Sequence, residues 1–220
     1  IASAAAAHAA RSSAGLGVTA GEIRVDFPTV MQHVHSAIHD IEPVDSPETL
    51  NRDGVHTLVG RARFDGPRSV VVNGERIAFR DALIAAGSTP VRTSVEGEAS
   101  IDVLTNETFW DLEELPARLL VQGGGAIGCE IAQAMARLGS AVTLVHRGDR
   151  LLPKEDAAAS AVILAALRAD GVDVRLGTTV RSFDSAGSDD DPSPSGTATL
   201  SDGTPVSYTH LRAHETKANL

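Results

Sequence analysis

A glycine-rich hexapeptide, Gly123 to Gly128 (GGGAIG), has the spacing of a loop that binds phosphate groups. The first glycine of such a loop permits a tight turn, and the second lets the backbone approach a pyrophosphate. The third lets a helix pack closely on the preceding strand. The start of that helix presents unpaired N–H groups and the positive end of its dipole to the phosphates. We therefore predict a pyrophosphate site formed by Gly123, Gly124, Gly125, Ala126, Ile127 and Gly128.

The end of the next strand, ~20 residues on, is where a dinucleotide-binding protein contacts the adenosine ribose. Enzymes that bind NAD usually carry an acid there, whereas this chain carries His146 and Arg147. An acid would repel a 2′-phosphate, and an arginine can pair with one. The pair therefore favours NADPH over NADH. Arg150 either assists Arg147 or is a solvated surface arginine.

The elements around the hexapeptide alternate between strand and helix. The helix over Ala126–Leu138 has Ile127, Ile131, Met135 and Leu138 on one stripe and ends at Gly139. This alternation predicts a βαβαβ Rossmann half, and it disfavours the alternative of a glycine-rich turn without a ligand. The predicted order is strand Leu119–Gln122, helix Ala126–Leu138, strand Ala141–Val145, helix Glu155–Asp170 and strand Val172–Leu176.

The first half of the chain has a different pattern. Asn73-Gly74 is a strong signal for a hairpin between two strands. Ser46 and Pro47 supply the N-cap and first position of a short helix that ends near Gly54. The other predicted elements are helices over Ile1–Ser13 and Phe27–Ile41 and strands over His56–Phe64, Ser69–Val72 and Ile77–Ile84, and the polar stretch Ser185–Gly196 is an exposed loop.

Composition narrows the classes of function. The net charge of −10 and the pI near 5.2 argue against nucleic-acid and anionic-membrane partners. No apolar run approaches the ~20 residues of a membrane span, and this sequence does not open with a basic region followed by an apolar stretch. We therefore expect a cytoplasmic globular protein. Its expected partner is a small-molecule substrate, and composition does not indicate the chemistry.

Cysteine and histidine offer little further chemistry. Cys129 is the only cysteine, so the chain can form no intramolecular disulfide. Its place at the start of a helix could lower its pKa, but we favour a buried packing role. His33, His35 and His39 have no nearby cysteine or convincing acid, so we predict no metal site.

Several segments together resemble the pyridine nucleotide-disulfide oxidoreductases, in particular the mercuric reductase and dihydrolipoamide dehydrogenase branch. The ordered set is more specific than any one motif, and it extends over Ile1 to about Pro205. The matching segments are Leu83–Ser88 (LIAAGS), Thr105-Asn-Glu, Leu115-Pro, Leu120–Glu130 (LVQGGGAIGCE), Val142–Val145 (VTLV) and Asp149–Pro153 (DRLLP).

The resemblance implies an FAD site and a residue near its reacting rings. Gly60-Arg61-Ala62 resembles a turn whose backbone contacts the FAD adenine, so Ala62 is a candidate contact. Ala86, Gly87 and Ser88 resemble a segment that closes on the adenosine side of FAD, although threonine is common where Ala86 stands. Glu130 resembles the glutamate that pairs with a lysine beside the redox disulfide, and it is otherwise an ordinary helix carboxylate. Ala126 stands where glutathione reductases carry a tyrosine.

The expected fold is α/β: a Rossmann-like NAD(P)-binding βαβαβ domain at 105–205, inserted after a partial FAD-binding domain at 1–104. The opening helix, from Ile1 to His8, looks like the stretch that follows the redox cysteines of the family. We therefore expect that the cysteines, the first nucleotide loop and the C-terminal dimerisation domain lie outside this chain.

The C-terminal residues have a separate origin in this interpretation. Val206–Thr216 (VSYTHLRAHET) matches the translation of a transposase adapter used for sequencing libraries. We therefore assign 206–220 to an artefactual tail and exclude it from the expected fold.

These expectations converge on a fragment of an FAD-dependent oxidoreductase. The whole protein would be a homodimer that passes hydride from NADPH to FAD and on to a disulfide or to a metal-ion or thiol substrate. The fragment alone would be inactive. One alternative is a family member without the disulfide, either a transhydrogenase or an NAD(P)H oxidase. Another is a non-catalytic module that senses NAD(P).

Overall fold

The computed structural model describes residues 1–87, 95–98, 101, 103–185 and 196–213. The chain divides into a large unit, Ile1–His33 with Thr89–Leu220, and a small unit, Val34–Ser88. Along the chain the elements are α1 (Ala2–Ser12), α2 (Phe27–Ile41), α3 (Pro47–Arg52), β1 (Arg63–Phe64), β2 (Ser69–Val72), β3 (Glu75–Ala78), β4 (Val103–Leu104), β5 (Arg118–Gln122), α4 (Ala126–Leu138), β6 (Ala141–Val145), α5 (Ala157–Ala169), β7 (Asp173–Arg175), β8 (Val180–Ser185), β9 (Gly196–Leu200), β10 (Pro205–Tyr208) and β11 (His210–Ala213).

The large unit contains the predicted βαβαβ arrangement, which confirms the α/β fold class. Strands β5, β6 and β7 are parallel neighbours, with Leu120 opposite Thr143 and Leu144 opposite Val174. The predicted bounds of α4 and β6 match the structure, because the apolar periodicity and the stop at Gly139 define them well. In α4, however, Ile127 is 41% exposed, whereas Ile131, Met135 and Leu138 are buried as predicted.

Each face of the parallel sheet is covered by its own apolar core. Leu119 and Val121 of β5 belong to the core that α4, α5 and α1 complete. Leu120, between them in sequence, belongs to the core formed with the antiparallel sheet β10-β9-β8. A parallel sheet with both faces covered needs near-continuous apolar strands, and β5 reads RLLVQ.

The small unit contains the antiparallel sheet β1-β2-β3 and helix α3. Strands β2 and β3 join through Asn73 and Gly74, whose φ angles of 51° and 85° make the predicted two-residue turn. The Oγ atom of Ser46 accepts the N–H of Thr49 at 3.2 Å, as expected of an N-cap.

Two predicted strands of the small unit are shorter than the sequence indicated. The strand predicted at 56–64 forms only at Arg63–Phe64, and the strand predicted at 77–84 is instead Glu75–Ala78. Strand β2 has four residues and pairs with four residues of β3 but with only two of β1, so the rest of each predicted strand lies outside this sheet. Leu83 and Ile84 are consequently 93% and 73% exposed.

A buried carboxylate, Asp170, ties helix α1 to helix α4. It accepts hydrogen bonds from Gln133 Nε2 at 2.7 Å and Arg137 Nε at 3.0 Å, and His8 Nδ1 lies 3.1 Å from its other oxygen. Burial alone would raise the pKa of Asp170. Hydrogen bonds from Arg137 and Gln133, with the charges of Arg137 and His8, outweigh burial and hold the pKa below its usual value. The orientation of α4 therefore depends on this carboxylate.

The C-terminal residues take part in the fold, so their exclusion from it is wrong for 206–213. Strand β11 lies between β4 and β5 and is parallel to both, while β10 pairs with β9. Residues 214–220 lie outside the described part of the chain. The adapter origin of the segment stays a prediction.

Arg212 of β11 is an unusual residue for an inner strand of a parallel sheet. Its side chain is 1% exposed, and its Nε and Nη1 atoms have no hydrogen-bond partner among the described residues. The guanidinium carbon lies 6.0 Å from the ring centroid of Phe109, and burial lowers the pKa of the group. Burying a cation with two nitrogen atoms unpartnered in the described part of the chain is costly, and an inner strand of a parallel sheet usually carries an apolar residue there.

We predict that Asp170→Asn lowers the free energy of unfolding by about 2 kcal/mol at pH 7, because the amide cannot accept from all three partners. A carboxylate whose folded pKa is lowered stabilises the fold above its unfolded pKa of about 3.9. The difference between the two proteins should therefore shrink as the pH falls below about 4. Urea unfolding at several pH values measures it. Asp173→Asn is the control, since its pair with Arg175 is exposed, and an equal loss there would contradict the prediction.

We predict that Arg212→Leu raises the free energy of unfolding by about 1 to 2 kcal/mol, because it removes a buried guanidinium whose Nε and Nη1 atoms have no hydrogen-bond partner among the described residues. Thermal and urea unfolding measure the change. Arg118→Leu, on the neighbouring strand, is the control, because the Arg118 side chain is exposed. A loss of stability in Arg212→Leu would show that the guanidinium stabilises the sheet.

Candidate nucleotide-binding site

The glycine loop connects the carboxyl end of β5 to the start of α4. Gly123 has a φ angle of 113°, in the region that favours glycine, and its N–H donates to the carbonyl of Val145 at 2.9 Å. A Cβ atom on Gly128 would lie 2.0 Å from the carbonyl oxygen of Gly123. Only glycine at 128 therefore allows the helix to begin this close to the turn.

The start of α4 is open to an anion. Its N-cap residue is Gly125, which offers no side chain to the first-turn N–H groups. A Cβ atom on Gly125 would meet no atom within 4 Å, so the space next to this residue is open. Ala126 and Ile127 are exposed at the same end of the helix. Uncapped N–H groups and the helix dipole together favour a phosphate at this position.

The two residues that follow β6 differ in their surroundings. His146 is partly buried, and its Nδ1 atom accepts the N–H of Gly124 at 3.1 Å. Arg147 is exposed. Arg150 Nη2 donates to the carbonyl of Pro153 at 2.8 Å, so this guanidinium is partly engaged. The side chain of His146 thus contacts the loop itself, a contact that the spacing of the sequence motif does not reveal.

Cys129 is buried directly behind the loop. Burial and the neighbouring charge of Glu130 raise the pKa of its thiol to about 11. Its Sγ atom lies 3.7 Å from the carbonyl oxygen of Gly124. The thiol therefore packs against the loop, as expected, and a lowered pKa is ruled out. Glu130, the predicted catalytic residue, is exposed on α4.

The predicted flavin contacts lie in the small unit. Ala62, Ala86 and Gly87 are all exposed, and Ser88 lies outside the described residues. The backbone near Ala62 is ordered by Asn73, whose Nδ2 donates to the carbonyl of Val59 at 2.9 Å. A Cβ atom on Gly60 would lie 2.6 Å from Asn73 Oδ1, so a larger residue there would displace the Asn73 side chain. These exposed segments form no enclosed cradle by themselves, and we derive no step through the flavin from them.

The described residues also bear on metal binding and on membrane insertion. In that part of the chain, no group of three or more His, Cys, Asp or Glu side chains is placed to hold a metal ion. No helix there is long and apolar enough to cross a membrane.

A family model described as pyridine nucleotide-disulphide oxidoreductase matches residues 1–211. The chain belongs to this family. Its members are FAD-dependent oxidoreductases that use NAD(P)H.

Curated relatives include three kinds of enzyme. A mercuric reductase of Streptomyces lividans is 35% identical over 187 residues, which are 82% of this chain and 39% of the relative. A dihydrolipoyl dehydrogenase of Thermus scotoductus is 42% identical over 132 residues, 59% of this chain and 28% of the relative. A glutathione reductase of Burkholderia cepacia is 36% identical over 131 residues, 60% of this chain and 29% of the relative. The chain thus spans about a quarter to two fifths of these relatives.

A solved structure shows the same fold. The Cu(II) complex of the HOCl-induced flavoprotein disulfide reductase RclA from Escherichia coli superposes with a TM-score of 0.76 at 23% identity. The match covers 90% of this chain and 44% of that protein.

We predict that iodoacetamide alkylates Cys129 roughly 100-fold more slowly in the folded chain than in urea at pH 8, because a pKa of about 11 leaves little thiolate. Mass spectrometry over time gives both rates. Cys129 is the only cysteine, so each adduct reports on this thiol alone. Equal rates in the folded and unfolded chain would show that the thiol is neither buried nor raised in pKa.

Proposed function

We propose that the loop Gly123–Gly128 and the start of α4 bind the pyrophosphate of NAD(P)H. The observation that carries this proposal is the uncapped start of α4, which opens directly behind the turn at Gly123. The loop lies at the carboxyl ends of β5 and β6, where ligands of open parallel sheets bind. The N–H groups of Ala126 and Ile127 are the nearest candidate donors to the phosphates.

Arg147 favours NADPH over NADH in this proposal. It stands two residues beyond the end of β6, on the side where the adenosine ribose of a dinucleotide would lie. Its guanidinium is exposed, whereas that of Arg150 donates to a backbone carbonyl. A 2′-phosphate would therefore pair mainly with Arg147, which can hold two of its oxygens at once.

For the whole protein we propose an FAD-dependent oxidoreductase of the mercuric reductase or dihydrolipoamide dehydrogenase kind. In such a protein FAD would supply the redox chemistry that links hydride from NADPH to a disulfide or to a metal-ion or thiol substrate. The role of this chain is to hold the nucleotide, with Glu130 as a candidate for pairing with a lysine near the reacting rings. We further propose that the whole protein is a cytoplasmic homodimer.

The family of relatives supports this class and leaves the electron acceptor open. The mercuric reductase, the dihydrolipoyl dehydrogenase and the glutathione reductase described above are 35% to 42% identical to this chain over the matched residues. This chain has one cysteine, Cys129, and therefore supplies no redox disulfide of its own. We therefore propose the nucleotide and its site, and the acceptor only by its class.

We predict that Arg147→Ala weakens NADPH binding at least about 10-fold, because a charge-assisted bidentate contact is worth more than 1.4 kcal/mol. NADH binding should change less than about 3-fold, since NADH has no 2′-phosphate. Titration of the chain by nucleotide fluorescence, at low salt, measures both dissociation constants.

The control for this experiment is Arg168→Ala, which removes an exposed arginine in the last turn of α5. It should leave both affinities unchanged. Equal losses for NADPH and NADH in Arg147→Ala would refute the 2′-phosphate role of Arg147. A folded chain that binds neither nucleotide would overturn the proposed function itself.

A further inference from the structure

We propose that His146 is a positioning residue that holds the glycine loop in its nucleotide-binding conformation. The proposal rests on the nucleotide site proposed above, and it adds a residue that acts through the loop rather than on the ligand. The observations that carry it are the contacts between Gly124 and the segment 146–153, which we call the loop clamp.

The first contact is a hydrogen bond from the backbone to the ring. The N–H of Gly124 donates to His146 Nδ1 at 3.1 Å. Gly124 is buried, so this N–H would otherwise have to be left without a partner or turned toward water, at a cost in either case. The ring thus satisfies the one buried N–H group in the middle of the loop.

Packing fixes the same peptide from the side. A Cβ atom on Gly124 would lie 2.9 Å from His146 Cγ and 2.6 Å from Leu151 Cδ2. Gly124 therefore lies in contact with the side chains of His146 and Leu151. A Cβ atom on Gly148 would also lie 2.9 Å from His146 Nε2, so a larger residue there would push against the ring.

The carbonyl group of Gly124 is bound by a residue near the C-terminal end of the loop clamp. Its carbonyl accepts the N–H of Leu152 at 2.8 Å. Leu152 has a φ angle of 48°, which a residue other than glycine adopts only when its surroundings fix it. Leu151 is fully buried, and its carbonyl accepts Ser160 Oγ at 2.7 Å, which anchors this end of the clamp to α5.

His146 itself is fixed to the sheet. Its N–H donates to the carbonyl of Arg175 at 2.8 Å, and its carbonyl accepts the N–H of Thr178 at 3.0 Å. The backbone of His146 is therefore fixed at both its N–H and its carbonyl, and the ring that contacts the loop is attached to this fixed backbone. The orientation of the Gly124 peptide then determines where Gly125 and the first N–H groups of α4 point.

The chemistry of an imidazole suits this position next to Arg147. An acid at 146 could also accept the Gly124 N–H, but its negative charge would oppose a 2′-phosphate. A neutral imidazole with an unprotonated Nδ1 atom accepts the same N–H without that charge. His146 thus keeps the loop in place and leaves the phosphate contact to Arg147.

The test uses the full 220-residue chain with NADPH and NADH as probes. His146→Leu removes the acceptor, and we expect both affinities to fall about 10-fold, the equivalent of one hydrogen bond of about 1.4 kcal/mol. His146→Asn places its Oδ1 atom as many bonds from the backbone as Nδ1, so both affinities should stay within about 3-fold of the unchanged chain. His146→Ala is a second variant without the acceptor, in case the leucine variant does not fold.

Amide hydrogen exchange of Gly124 provides a readout that needs no ligand. We expect its protection to be lost in His146→Leu and retained in His146→Asn, while the amides of β5 stay protected in both. A merely structural role would instead lower protection across the sheet and leave the affinities of the folded protein unchanged.

Three results would overturn the proposal. In the first, His146→Leu binds both nucleotides as the unchanged chain does. In the second, His146→Asn loses as much affinity as His146→Leu. In the third, only NADPH binding falls, which would make His146 a direct contact to the 2′-phosphate. If the unchanged chain binds neither nucleotide, the proposed function fails, and the exchange of Gly124 still tests the loop clamp.

Discussion

The close approach of Gly128 to the carbonyl of Gly123 is the constraint on which the site depends. A single Cβ atom at 128 would lie 2.0 Å from that oxygen, so helix α4 could not begin where it does. With glycine there, the helix starts directly behind the turn and presents its uncapped N–H groups at the carboxyl end of the sheet. The rest of the large unit keeps this contact in place: the parallel register of β5 and β6 supports the turn, and the two apolar cores fix the sheet.

Packing and polar contacts hold different parts of the loop and of helix α4. Behind the loop, Cys129 fills space, and burial keeps its thiol protonated with a pKa of about 11. At the far end of α4, Asp170 binds Gln133 and Arg137 and meets His8 of α1. The helix is thus held at both ends by different means. The side chain of Arg147 is exposed to solvent, whereas the ring of the neighbouring His146 accepts a hydrogen bond from Gly124.

The sequence predicted the local elements of the site well and its long-range contacts poorly. Periodicity and glycine stops define α4 and β6, and the turn at Asn73-Gly74 follows from residue type alone. The strands of the small unit are shorter than the sequence predicts, because an apolar run such as the one at Leu83 does not reveal whether a partner strand lies beside it. The insertion of β11 between β4 and β5, and the bond from Gly124 to His146, join residues far apart in the chain. Neither leaves a periodic signal, so neither could be found from spacing.

The most direct test of the central claim is to map amide chemical shifts of the full chain as NADPH is added. The account predicts that the amides of Gly125, Ala126 and Ile127 shift together with that of Arg147, with one saturating dissociation constant for all four. The amides of the small unit sheet, such as that of Val72, should not move. If the chain is folded and the loop amides stay in place while NADPH binds elsewhere or not at all, the loop is not the nucleotide site and the account is wrong.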